Sequence, residues 1–254
     1  MTEISESEVF DVVIVATKHY QAAEAVAQYF PKAPSATFLL FTANWNGIDE
    51  IAGLLPRSSM QWGYAQATGG FDSRGALVAT MNPEVRLGIL DGGDSDKYKR
   101  VCELFESADF KLDIKQNIIQ WLWIHHAVNA GGIGLCLWAG GIRKATRSPK
   151  MLILGMLAVQ DALKVVRARG VDDSETRFAT QRLNFQPLLA YLGLQFASRF
   201  TEKGRRLLGS GHFDNNPEEM KRYFNDVLTT GEQFGLDLPH LTVFRNGIDR
   251  PSGK

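Results

Sequence analysis

Three residues of one apolar stretch are of types that do chemistry. In "QNIIQWLWIHHAVNAGG", Trp121, His125 and Asn129 recur every four positions, which stacks them on one stripe of a helix. His126 lies about 100° further round and neighbours Asn129 at i+3. A histidine titrates near neutrality and can act as general acid or base. An asparagine offers a carbonyl or hydroxyl both a donor and an acceptor. The other reading of the pair is a core position in which a backbone carbonyl satisfies the ring, since an unpartnered ring is costly to bury. A metal is not expected. Adjacent histidines are poorly placed to share an ion, and this helix has no Asp, Glu or Cys at ligand spacing.

A second set sits near the start. In "VVIVATKHYQ" an apolar run from Val12 to Ala16 ends in Thr17-Lys18-His19-Tyr20. That reads as a strand feeding a helix, with Lys18 at the strand's carboxyl edge, where open α/β sheets hold their ligands. Lys18 could neutralise a carboxylate or enolate, with Tyr20 beside it as a substrate contact. It could equally be a solvated lysine in an exposed loop. Asn44 ends a second strand, "ATFLLFTAN". It could meet a substrate carbonyl, or cap the following helix in competition with Asn46.

The elements that must position these groups fall into two grammars. Up to about residue 114, short strands alternate with helices. "FDVVIVAT" and "ATFLLFT" read as buried strands, the second unbroken as in a sheet covered on both faces. "SSMQWGYAQAT" and "GALVAT" read as strands around a turn at Gly69-Gly70, followed by "EVRLGIL". A loop at Asp91–Asp94 leads into the helix "KYKRVCELFESA" and a closing strand, "FKLDI". From Lys115 onward the chain is helical. "QNIIQWLWIHHAVNAGGIGLCLWAG" is apolar nearly all round, as a buried helix is. The next long helix starts at Ser148-Pro149 and ends at Gly170. A later one starts with Asn216 as cap and Pro217 and ends at Gly235. The expectation is a truncated Rossmann-like α/β domain over 1–114 and an all-α domain over 115–254.

Composition narrows the classes. The chain of 254 residues balances 28 basic against 28 acidic groups, so it lacks the charge for a nucleic-acid partner. Its longest apolar run, Met151–Val159, is too short to span a membrane. The acidic start MTEISESEVF has no apolar core of a secretory signal. The two cysteines, Cys102 and Cys136, form no CxxC, which reads as reduced thiols of a cytoplasmic protein.

The order of these segments resembles the ketopantoate reductase (2-dehydropantoate 2-reductase) family. There an NADP-binding Rossmann domain precedes a helical domain of the 6-phosphogluconate-dehydrogenase C-terminal type. "VIVATKHYQ" resembles its strand–lysine–aromatic–Gln segment, and "FLLFTANWNGIDEI" its strand ending in asparagine, with Trp45 in place of a glycine. "HHAVNAGG" resembles its long inter-domain helix, and "NDVLTTGEQFGLDLP" its terminal segment. Three family features are replaced or absent. The opening βαβ units with Gly-x-Gly-x-x-Gly are not in this sequence, and "NAGGIG" at 129–134 sits inside a helical pattern. The family's catalytic lysine maps to Trp121. Its substrate-holding glutamate maps to Met220, with Glu218 and Glu219 out of register.

The resemblance therefore implies a carbonyl-binding cleft without the redox parts. Lys18, Asn44, Asn129 and one of His125 and His126 are expected to converge on a pocket lined by Trp121 and Tyr20. The expected function is a cofactor-independent cyclisation, dehydration or isomerisation of a small carbonyl compound by a homo-oligomer. The alternatives are an NADP-dependent 2-oxoacid reductase whose dinucleotide-binding segment is not in this chain, and a non-catalytic binding protein.

Overall fold

A five-stranded sheet with a buried inner strand is the framework of the first part of the chain. The structure, a computed structural model, describes residues 9–43, 45–46, 48–71, 74–174, 187–202 and 217–248. The strands are β1 (Val12–Val15), β2 (Thr37–Leu40), β3 (Met60–Phe71), β4 (Leu77–Gly88) and β5 (Lys111–Ile114), side by side in that order. β1 and β2, β2 and β3, and β4 and β5 run parallel. The helices are α1 (Ala22–Tyr29), α2 (Asp49–Ala52), α3 (Ser95–Ser107), α4 (Ile118–Ala139), α5 (Ile142–Ala145), α6 (Pro149–Ala168), α7 (Pro187–Phe200), α8 (Pro217–Gln233) and α9 (Pro239–Ile248).

The unbroken apolar run of β2 is explained by cover on both faces. Phe38 and Leu40 join Val15, Val26, Ile51, Trp62 and Leu122 in one core cluster. Leu39, pointing the other way, packs with Val85, Leu87, Val101 and Phe105 of β4 and α3. Asp94 starts α3 by accepting from the backbone N–H groups of Asp96 and Lys97. Those amides, Lys97 first, hold its carboxyl below the usual carboxylate range.

Two expectations about the middle strands need correction. Gly69-Gly70 is not a turn, because β3 continues to Phe71. A Cβ on Gly69 would stand 2.7 Å from that of Ala79, so this glycine serves the close approach of β3 and β4. The positive-φ glycine of the connection is Gly75, at φ 78°. "GALVAT" and "EVRLGIL" are one strand, β4, which runs through Pro83. The pairing with β5 starts only at Glu84, so the proline's missing N–H costs no bond of that ladder.

The chain divides into two compact units: 1–66 with 81–122, and 67–80 with 123–254. In the second, α6 packs against α7, α8 and α9. Ser148 caps α6, and Gly170 ends it at φ 81°. Asp161 is 2% exposed and accepts from Lys164 Nζ at 2.7 Å and from the backbone N–H of His240 at 2.8 Å. It thereby anchors the start of α9 to α6. Asn216, the expected cap of α8, lies outside the described residues.

Candidate functional site: the polar face of the long helix

Asn117 starts α4 by accepting from the backbone N–H of Gln120 at 3.0 Å. From there the helix carries the predicted stripe. The Asn129 Nδ2 lies 3.0 Å from His125 Nε2. With the amide as donor, Nε2 accepts and the neutral ring keeps its proton on Nδ1. Turning the amide over would present Oδ1 and reverse the tautomer. The pair is half-buried, so water can deliver and remove protons. Two groups of the expected set are thus joined by a hydrogen bond.

His126 occupies a different environment. It has no exposed surface. Its ring stacks on Tyr223 of α8 at 4.3 Å and 14° between planes, and Nε2 stands 3.7 Å from Asp226 Oδ2. This is an interior contact between α4 and α8, made to the side chains of Tyr223 and Asp226. Tyr223 and Asp226 went unnoticed in the sequence. Their i, i+3 spacing on α8 is the signal that could have found them.

Trp121 is surrounded by groups that periodicity cannot reveal. Its ring meets that of Tyr64 at 5.3 Å, with the Arg86 guanidinium 4.9 Å and the Lys115 ammonium 5.9 Å from its centre. Glu84 and Asp113 pair with Arg86 at 2.7 and 3.1 Å, and Asp113 with Lys115 at 2.8 Å. Burial pushes the Tyr64 hydroxyl up, against the opposing pull of Arg86. An aromatic face accepts two cations; a lysine at 121 would add a third positive charge beside them.

Lys18, at the end of β1, precedes a single tight turn, His19–Gln21, in which the Gln21 N–H donates to the Lys18 carbonyl at 2.8 Å. Tyr20 is exposed and meets His19 edge-on. Asn44 lies outside the described residues. Lys18 and Tyr20 belong to the first unit, and His125, His126 and Asn129 to the second.

The fit of a dinucleotide to "NAGGIG" fails on contact. A Cβ on Gly131 would meet the Val159 backbone N at 2.6 Å, and one on Gly134 the Phe224 ring at 2.6 Å. These glycines admit neighbouring helices, and no phosphate can lie there. Met220 is 3% exposed and lines a cavity of about 310 Å³ with Ile133, Cys136 and Leu137. Among the described residues no three of His, Cys, Asp and Glu are grouped to hold a metal. Nor is any described helix long and apolar enough to cross a membrane.

Residues 1–92 match the family described as ketopantoate reductase PanE/ApbA. A 2-dehydropantoate 2-reductase of Pyrococcus abyssi (strain GE5 / Orsay) is 25% identical over 174 residues, which is 64% of this chain and 54% of that protein. The match thus spans about half the length of that curated relative. Among solved structures, a D-mandelate dehydrogenase with NADH and anilino(oxo)acetate superposes with a TM-score of 0.68 at 16% identity, covering 97% of this chain and 77% of its own. A dimeric ketopantoate reductase from Staphylococcus aureus gives 0.65 at 17% identity, with 95% and 78% covered. At such identities the likeness speaks for the fold. The first 92 residues are thus similar to the ketopantoate reductase PanE/ApbA family, and the sheet-then-helices architecture resembles that of the solved ketopantoate reductases.

Proposed function

We propose that this ketopantoate-reductase-like protein works without hydride transfer, cyclising, dehydrating or isomerising a small carbonyl compound with His125 as acid/base. The carrying observation is the His125–Asn129 hydrogen bond of 3.0 Å. An imidazole whose Nε2 can accept from the amide Nδ2 or donate to its Oδ1 is placed both to take and to return a proton. Enolisation beside a carbonyl needs such a shuttle and no redox cofactor. Two substitutions support the reading. Trp121 stands where the resemblance expects the proton-donating lysine, and its ring faces are engaged by Tyr64 and Arg86. Met220 puts a thioether in an apolar wall where the resemblance expects a carboxylate.

The competing reading, an NADP-dependent 2-oxoacid reductase, is favoured by the likeness to the Pyrococcus abyssi protein. Calorimetric titration of the chain with NADPH separates the two. The proposal expects a dissociation constant no better than millimolar. Low-micromolar binding, with nucleotide oxidised on addition of 2-dehydropantoate, would establish the reductase.

A further inference from the structure

The seam between α4 and α8 is closed at one end and open at the other. His126 lies against Tyr223 and Asp226. Further along α4, Gly134 admits the Phe224 ring so closely that no Cβ would fit. Beyond that contact the helices part around the cavity of about 310 Å³. Its walls are Ile133, Cys136 and Leu137 of α4, the turn Gly140-Gly141, and Met220 in the first turn of α8. The cavity opens to solvent beside a seam whose close approach is set by Gly134.

We propose that this cavity is a binding site for a small, uncharged aromatic group. The volume is at the lower end of the range of ligand pockets and takes on the order of ten non-hydrogen atoms. It is too small for a helix of a second copy, whose stable docking buries roughly 1,000 Å² or more. Among the described residues, none of the lining side chains carries a formal charge. Aliphatic walls with a thioether and a thiol favour an aromatic ring, whose edge meets sulfur well. Gly140 and Gly141, at φ 77° and 117°, hold a backbone geometry that residues with side chains rarely adopt, and a Cβ on Gly140 would stand 3.4 Å from Lys144 Nζ. The assignment stands on the cavity and not on the reaction proposed for His125.

Indole, a neutral aromatic probe, tests it on the full chain labelled with ¹³C-methyl methionine. The resonance assigned to Met220 through Met220→Leu is expected to shift saturably. Leu137→Trp, which fills the cavity, is expected to abolish that shift. Indole is also expected to slow alkylation of Cys136 by iodoacetamide at least threefold while leaving Cys102 unchanged, a readout that needs no variant. A shift that grows linearly without saturating, or persists in Leu137→Trp, would overturn the site, and so would unaltered Cys136 alkylation at saturating indole.

Discussion

Adjacent histidines on one helix separate into two roles because a step of one residue turns the side chain by about 100°. His125 reaches a half-buried amide, whereas His126 is sealed against Tyr223. Replacing each by alanine should therefore give opposite outcomes. His126→Ala removes a stacked ring from a closed interface and should cost roughly 2–4 kcal/mol. His125→Ala should stay within about 1 kcal/mol of the parent in urea unfolding. Equal losses would place both rings in the core. Cys102 gives a second prediction at this scale. Burial, reinforced by Glu106 and Glu103, pushes its thiol up. The folded state therefore holds that proton more tightly than the unfolded chain. Stability linked to this group is present below the ordinary thiol value of about 8.5 and is lost as pH rises through the higher folded one. Alkylation of Cys102 should accelerate only at a pH above that of a free thiol. A rate profile centred on the ordinary value would contradict the burial argument.

Helices and strands were legible from the sequence wherever a single physical cause wrote the pattern. The Ser148 cap and the Gly170 stop reflect local chemistry, the apolar run of β2 reflects cover on both faces, and each is found in place. Gly69 and Pro83 misled because glycine and proline also serve close strand approach and unpaired ladder positions, which depend on partners distant in sequence. The candidate site was half legible for the same reason. The i, i+4 spacing placed His125 on Asn129, but the groups around Trp121 and His126 come from other elements. Tight helix crossings yield a direct test. Gly131→Ala would drive a Cβ into the Val159 backbone at 2.6 Å. The helices would have to separate, at a cost of about 1–3 kcal/mol in urea unfolding. Gly132, with nothing within 4 Å of an added Cβ, should gain stability as alanine, by up to about 1 kcal/mol. Equal effects at the two glycines would rule out the crossing as the cause.

The molecule as a whole joins a fold like that of the ketopantoate reductases to Trp121 and Met220 at two positions where the resemblance expects a lysine and a glutamate. β1 ends the sheet among the described residues, and Val9 and Ile14 are exposed. Open edges invite pairing, so a homodimer or larger assembly is expected by light scattering at micromolar concentration. A monomer would count against it. The most direct test of the central claim is proton exchange without nucleotide. The chain is incubated in D₂O with 3-methyl-2-oxobutanoate, a 2-oxo acid with a hydrogen beside the carbonyl, and exchange at that carbon is followed by NMR. The account predicts catalysed exchange that falls by roughly 10²–10⁴ in His125→Ala, the usual span of an acid/base contribution. Exchange no faster than in buffer, or equal in the two proteins, would contradict it.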